Sequence, residues 1–429
     1  MDTIARDRYL QRLIDRKENG LIKVITGIRR CGKSYLLFHL YRNYLISVGV
    51  KKENIIEIAL DEDENEKLRE PKELSAYILS KIRDEEQYYV FIDEVQYAIK
   101  KEELKSDKPL PLYGVLNSLL HKQNIDIYVT GSNSKLLSKD VMTEFRGRGD
   151  EVRIFPLTFK EYYSYLGGDK SERFEEYSQY GGLPLTIFKK SAEERVKYLT
   201  DLFKEVYFKD IEERYSIDLP EVLHLLTDDL CSSIGSLTNS SKIANALKST
   251  KKIKVDSQTI ATYLDYLEES FLFSQAKRYD VKGKKYFVYP SKYYCTDIGL
   301  RNARLNFRQQ EETHAMENII YNELLVRGFS VDVGVVEIVS VEEDGKRHQK
   351  QYEIDFVINK GMRKYYIQSA LTLNNDDKKK TELRPFLETK DFFKKIIVTK
   401  SHMKPWYDDN GIYHIGLYDF LLDDSLLES

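Results

Sequence analysis

Apolar residues along this chain follow two rhythms. One is short and continuous: Leu21-Ile22-Lys23-Val24-Ile25, residues 54–60, Tyr88-Tyr89-Val90-Phe91-Ile92, Ile125-Asp126-Ile127-Tyr128-Val129 and residues 151–157. Runs of this length bounded by polar residues predict buried strands. The other rhythm is spaced by three and four. Tyr9, Leu10, Leu13 and Ile14 share one face of a helix predicted over 4–19, and Leu36, Leu37, Leu40 and Tyr41 share a face of a second. Strands alternating with helices predict an α/β domain with a parallel sheet over residues 1–165. From 166 to 290 the pattern is helical, with short helices over 241–247 and 257–267 and two strands at 272–274 and 286–289. Residues 291–429 return to α/β: a helix over 314–325, then strands over 352–358 and 364–370.

Composition bounds what these parts can be. The chain has 429 residues, 41% of them hydrophobic and 32% charged, as expected of a globular protein with several cores. Its net charge of -3 does not advertise a nucleic-acid binder. Residues 240–292, however, hold eleven Lys/Arg against five Asp/Glu, a local net of +6 that leaves -9 for the remainder. Cys31, Cys231 and Cys295 lie far apart without metal-ligand spacing, which argues for a reducing compartment. Met1–Arg6 lacks a signal-peptide core and no apolar run approaches a membrane span, so a cytoplasmic protein is expected.

The stretch between the first strand and the second helix reads Gly27-Ile28-Arg29-Arg30-Cys31-Gly32-Lys33-Ser34. This is the G-x-x-x-x-G-K-S phosphate-loop pattern in its required strand–loop–helix context. Backbone N–H groups of Gly27, Arg30, Cys31 and Gly32 are expected to turn around the β- and γ-phosphates of ATP. Lys33 would reach those phosphates, and the Ser34 hydroxyl would bind Mg²⁺. The bland alternative is a glycine turn before a core helix.

Further candidates follow at the ends of later strands, where open α/β sheets bind ligands. Asp93 and Glu94 close the third run. Asp93 can hold Mg²⁺ or its waters, and Glu94 can orient or deprotonate an attacking water. The alternative is a charge pair at a helix start. Ser132 and Asn133 follow the fourth run, either as sensors of the γ-phosphate or as a plain strand-to-helix cap. Arg146 and Arg148 precede the fifth, either as a finger for a neighbouring subunit's γ-phosphate or as surface arginines.

Together, the Gly27–Ser34 loop, Phe91-Ile92-Asp93-Glu94-Val95-Gln96, Thr130-Gly131-Ser132-Asn133-Ser134 and the Phe155–Tyr162 stretch resemble a prokaryotic AAA+-type ATPase family. The family meant joins that ATPase to a C-terminal domain resembling restriction nucleases. Tyr180–Pro184 and Asp210–Tyr215 are similar to its linker helices. The resemblance implies Asp93 as the Mg²⁺ support, Glu94 as the catalytic base and Arg148 as the finger. A finger acting between subunits would make a homo-oligomer the setting.

In the middle part, helix, turn, helix and a lysine-rich turn at 282–285 suggest a winged helix. Gln258, Thr259 and Thr262 would approach bases of double-stranded DNA, and the lysines its phosphates. The alternative is a winged helix used for protein packing. In the last part, Glu317 and Asp355 resemble the metal-holding carboxylates of a PD-(D/E)xK nuclease core, where a Glu-x-Lys pair on the next strand completes the site. Here those positions are Gln368 and Ala370. Gln is a poorer Mg²⁺ ligand, and Ala supplies no cation, so a degenerate nuclease-like domain is expected. The whole reads as an ATP-hydrolysing switch or motor associated with DNA. A signalling or toxin-control switch with a protein partner is the second reading, and an active ATP-dependent nuclease the third.

Overall fold

The computed structural model describes residues 3–100, 102–103, 108–132, 149–287, 290–308, 311–341, 347–373, 376–402 and 404–427. They fall into two units, Met1–Pro156 with Glu269–Phe271, and Leu157–Glu268 with Leu272–Ser429. Among these residues no helix is long and apolar enough to cross a membrane.

The first unit is built on five parallel strands: β1 (Ile22–Thr26), β2 (Ile55–Ala59), β3 (Tyr88–Asp93), β4 (Ile125–Gly131) and β5 (Gly149–Arg153). Their order is β2-β3-β4-β1-β5. β1, β3 and β4 are buried at every position, which is why their sequences are continuous rather than alternating. Val24, Ile58, Val90 and Ile127 pack with Leu74 and Leu116 from the helices Pro71–Lys81 and Pro111–Leu120. Two polar residues interrupt those runs, and they meet: Lys23 pairs with Asp126, which also accepts from Tyr128 Oη at 2.7 Å. Removing one partner of such a buried pair typically costs ~3–5 kcal/mol, because the other charge is left without its counterion.

Two expected boundaries shift. The N-terminal helix spans Asp7–Ile14, shorter than 4–19, because the chain leaves it through turns with Glu18 at φ 57°. The fifth strand ends at Arg153 rather than near 157. Ile154 N still donates to Thr26 O at 2.8 Å, but Phe155 N donates to Tyr9 Oη, and Pro156 has no N–H to extend the ladder.

The second unit holds two sheets. In the first, β6 (Leu237–Thr238), β7 (Phe273–Ala276) and β10 (Ser291–Cys295) are ordered β6-β10-β7, all antiparallel. Three helices precede or separate them: Pro220–Ser232, Ser240–Ala246 and Ser257–Glu269. Asp256 caps the last, accepting from Thr259 N at 2.6 Å.

The second sheet has eight strands in the order β15-β16-β14-β13-β12-β11-β8-β9. These are β8 (Arg278–Asp280), β9 (Lys285–Tyr286), β11 (Ser330–Val341), β12 (Arg347–Lys360), β13 (Arg363–Ala370), β14 (Lys394–Thr399), β15 (Trp406–Tyr407) and β16 (Tyr413–Gly416). The helix Glu312–Val326 packs on it through Ile319, Ile320 and Leu324, against Phe356, Ile358 and Ile367.

The wing expected from strands at 272–274 and 286–289, of which 288 and 289 lie outside the described residues, is therefore corrected. β7 pairs with β10, and β8 pairs with β9 in the other sheet. The fully buried Ser291–Cys295 strand offers β7 a four-residue ladder. The lysine-rich turn instead closes on Asp280, whose carboxylate accepts from Lys282 N at 3.2 Å and Gly283 N at 2.9 Å. Strands from either side of residue 290 thus interleave between the two sheets.

The Tyr180–Pro184 stretch has a steric reason for its glycines. A Cβ on Gly181, which sits at φ +73°, would lie 2.1 Å from Asp297 Oδ1. One on Gly182 would lie 2.1 Å from Leu157 O. The space is occupied because Asp297 accepts from Gly182 N at 2.7 Å and from Leu300 N at 3.0 Å. Burial pushes the Asp297 carboxyl up to about 6, against those backbone donors, which pull it down.

This shift has a sign. Between pH 4 and 6 the folded state keeps a proton that the unfolded chain releases, so stability falls as pH rises through that window and then levels. Two pKa units correspond to roughly 3 kcal/mol. We expect Asp297→Asn to remove this part of the slope. Chemical denaturation of both proteins across pH 4–7 checks it, and parallel curves would reject it.

Candidate functional site

The carboxyl edge of the parallel sheet collects the chemistry of the first unit. β1 runs into Gly27–Ser34, and the helical segments Lys33–Tyr35, Leu36–Tyr41 and Arg42–Ser47 follow. Gly27 is at φ 145°, and a Cβ there would stand 2.2 Å from Ile154 O, so the loop rests directly on the backbone after β5. Lys33 is buried, and its Nζ donates to Gly27 O at 3.0 Å and Ile28 O at 3.2 Å. The lysine therefore lies along the loop with its charge satisfied by carbonyls. Arg30 is exposed at φ 67°. Cys31 is buried, with Sγ 3.7 Å from Ile154 O, and burial raises its thiol pKa, which keeps it an inert packing group.

Asp93 ends β3 one strand away from β4 and two from β1. Ser34 Oγ donates to Asp93 Oδ2 at 2.6 Å, and Thr130 Oγ1 donates to Oδ1. Burial raises the Asp93 pKa, Ser34 and Thr130 oppose the shift, and the adjacent Glu94 adds to it. Such a carboxylate gains from a cation. Glu94 stands in the left-handed region at φ 52°, with its N–H on Thr130 Oγ1 at 3.0 Å. Its carboxylate accepts from Gln96 Nε2 and lies 3.5 Å from Ser132 Oγ. Arg29 Nε donates to the same Ser132 Oγ at 3.3 Å.

Lys33, Ser34, Asp93, Glu94 and Ser132 are thus brought to one place. Asn133, Arg146 and Arg148 lie outside the described residues. Two participants escape a reading of the sequence. Gln96 holds Glu94, and its signal is its position two residues beyond an Asp-Glu pair. Arg6 is buried and donates to Cys31 O at 3.1 Å and Phe155 O at 2.7 Å, which clamps the loop to the chain after β5. Nothing local in the sequence marks Arg6, since both acceptors are backbone atoms distant in the chain.

The second unit holds another charged constellation. Glu317, on the helix Glu312–Val326, accepts from Lys292 Nζ at 3.0 Å and Tyr294 Oη at 2.7 Å. Lys292 also pairs with Glu353 at 2.7 Å. Asp355 Oδ2 accepts from Ser369 N at 2.8 Å, and Gln368 Oε1 accepts from Asp355 N at 3.2 Å. Gln368 Nε2 turns away to Glu382 at 2.9 Å. Burial raises the Asp355 pKa, and the neighbouring Glu317 adds to it. Burial disfavours the Lys292 ammonium, but Glu317, Asp355 and Glu353 outweigh that and hold it charged.

So Glu317, Asp355 and Gln368 share one neighbourhood, Ala370 is buried without a functional group, and a lysine arrives from β10. From the sequence alone Lys292 counts among the basic surface positions. Its signal is the period of two: positions 292 and 294 of a buried strand share a face, and both meet Glu317. Among the described residues no group of three or more His, Cys, Asp or Glu could hold a metal ion.

Comparison with known proteins agrees with part of this picture. Residues 19–163 match the AAA domain family, and residues 171–311 match a domain of unknown function (DUF8612). An uncharacterized protein of Haemophilus influenzae is 34% identical over 427 residues, covering 98% of this chain and 98% of that protein. An uncharacterized protein of Methanocaldococcus jannaschii is 28% identical over 375 residues, covering 84% of this chain and 76% of its own. The solved structure of the Aeropyrum pernix ORC1 protein in complex with DNA is 13% identical, covering 70% of this chain and 91% of that one. Its TM-score is 0.30, too low to bear on fold or function. Identity carried from end to end by the bacterial relative, with the phosphate loop inside a matched AAA domain, means that the chain belongs to the same family as the Haemophilus influenzae protein, a family of AAA-domain proteins.

Proposed function

We propose that the first unit binds ATP with Mg²⁺ and hydrolyses its β–γ phosphoanhydride to drive a switch or motor. The observation that carries this is the Ser34–Asp93 hydrogen bond at the foot of the phosphate loop. A hydroxyl and a carboxylate are hard oxygen donors of the kind Mg²⁺ takes, so Ser34 and Asp93 would hold it. When bound, the ion neutralises charge on the phosphate oxygens. Lys33 would exchange its two carbonyl acceptors for phosphate oxygens. Glu94, steadied by Gln96 and Ser132, would orient the attacking water and take its proton. On sequence position we assign Asn133 to sensing the γ-phosphate and Arg148 to the finger of a neighbouring copy.

The test is nucleotide affinity and turnover on three variants. Lys33→Ala should bind ATP at least ~10-fold more weakly, as expected for a lost charged hydrogen bond. Glu94→Gln should bind normally and turn over ~10²-fold or more slowly. Arg148→Ala should bind normally and turn over slowly. Normal turnover in Glu94→Gln would remove the base from this mechanism.

We further read residues 220–295 as a winged helix that meets duplex DNA. The β6-β10-β7 sheet with its three helices supports that reading. So does surface charge: Lys242, Lys248, Lys251, Lys252, Lys254, Lys277, Lys282, Lys284 and Lys285 are all exposed, as is Gln258. Lys292 leaves this set because it is buried. Duplex affinity of the full chain should fall as salt rises. Replacing Lys251, Lys252 and Lys254 by Ala should flatten that dependence, by about one unit of log–log slope for each phosphate no longer neutralised. Binding indifferent to both would favour a packing role.

The last part we read as a nuclease-like domain without cleavage. A buried ammonium stands among the carboxylates where a divalent ion would have to sit. Gln368 and Ala370 withhold a charged ligand and a lysine, each typically worth ~10²-fold or more. An end-labelled duplex with Mg²⁺ or Mn²⁺, with and without ATP, should stay intact. Cleavage by wild type that vanishes in Asp355→Ala would overturn this.

A further inference from the structure

A cavity of about 440 Å³ opens in the second unit at the carboxyl ends of β13, β14 and β16. These three neighbouring strands are parallel, and the outer end of such strands is where open α/β sheets take their ligands. The volume falls within the ~300–1,000 Å³ typical of small-molecule sites. Its lining carries three lysines, Lys379, Lys400 and Lys404, and no carboxylate. Lys400 pairs with Glu312 from outside that lining. Neither Lys379 nor Lys404 forms an ion pair among the described residues. Hydroxyls of Thr399 and Ser401, 2.9 Å from one another, complete the polar side.

The opposite character is supplied by Trp406, which is 40% exposed. It is not a loose surface aromatic. β15 sets it across from His414 in the β16 ladder, and the two rings stack at 4.4 Å with an interplanar angle of 12°. His414 is itself buried and bound to Asp408 at 3.1 Å. The indole is therefore held flat at the wall of a cavity that also presents lysines, hydroxyls and the apolar side chains of Leu371, Leu373 and Ile415.

A flat ring platform beside uncompensated ammonium groups matches a ligand with one planar ring and one phosphate. Aromatic rings stack on bases in nucleic-acid sites, and lysines serve phosphates as point charges. We propose that this cavity binds a nucleoside monophosphate unit, with its base on Trp406 and its phosphate between Lys379 and Lys404. The unit comes either as a free nucleotide or as the phosphorylated end of a single strand. The site is separate from the phosphate loop and independent of the ATP reading above.

The chain contains a single tryptophan, so its intrinsic tryptophan fluorescence reports on this cavity alone. The full-length protein is titrated with AMP, with adenosine and with a 5′-phosphorylated single-stranded tetranucleotide. We expect a saturable change in fluorescence with a phosphorylated probe and ~10-fold or weaker binding of adenosine, the loss of a charged hydrogen bond. A response to AMP assigns the free nucleotide, and a response to the tetranucleotide alone assigns the strand end. The Lys379→Ala/Lys404→Ala double variant should weaken the active probe ~10-fold or more while retaining wild-type ATP turnover. Lys33→Ala should leave the titration unchanged. Calorimetry on Trp406→Leu provides a second route, with a similar loss expected. No response to either phosphorylated probe would overturn the proposal. So would a response abolished by Lys33→Ala and kept by the double lysine variant.

Discussion

Ser34 and Asp93 are 59 residues apart in the chain and joined by one 2.6 Å hydrogen bond. That contact depends on the order of the sheet. With β4 between β1 and β3 and all strands parallel, the loops leaving β1 and β3 emerge at one edge. The other features of the proposed nucleotide site are arranged around the same edge. Gly27 lets the loop lie on Ile154 O, and Arg6 ties Cys31 and Phe155 to the N-terminal helix. Thr130, at the end of the intervening strand, bonds both Asp93 and the Glu94 backbone. The two acids are thereby held at different depths: Asp93 is buried against hydroxyls, while Glu94 is turned outward by a left-handed backbone.

Burying carboxylates is costly unless a cation or donors meet them. The chain solves this problem in two ways. At Asp93 the direct donors are two hydroxyls, and with the charge of Lys33 they oppose the desolvation without cancelling it, so an added cation would be favoured there. At Glu317 and Asp355 it supplies its own ammonium, Lys292, from a neighbouring strand. The first arrangement suits the proposed Mg²⁺ site. The second is self-contained, and its charge is balanced before any ligand comes. Similar residue types thus serve opposite ends, and the difference lies in where the nearest permanent cation is anchored.

The surface of the second unit shows a related contrast. Most of the lysines in residues 240–292 extend into solvent, where each contributes little to stability and remains available to phosphate. Around the cavity beyond β14, Lys379 and Lys404 stand near one rigid aromatic ring rather than along an open face. Charge spread over a surface fits an extended polyanion, and charge gathered beside a platform fits a compact one.

By itself the sequence determined that the first unit has five strands, three of them buried throughout, along with the phosphate loop between strand and helix and the acidic pair after the third strand. These signals are local: continuous apolar runs, fixed glycine spacing and turn chemistry act within a few residues. It also determined that Gln368 and Ala370 cannot supply a carboxylate and a lysine. What the tertiary structure decided was which segments pair and which charges meet. The runs at 272–274 and 286–289 both looked like strands, but their partners depended on Ser291–Cys295 offering a longer buried ladder. Lys292 looked like one more surface lysine, because its burial follows from β10 lying beneath the helix that carries Glu317. Arg6 and Gly181 had no readable purpose either, since the groups they meet are backbone carbonyls and a carboxylate far along the chain. Spacing along the chain records local geometry; it does not record which distant atom will occupy the space beside a residue, and desolvation and packing are settled only there.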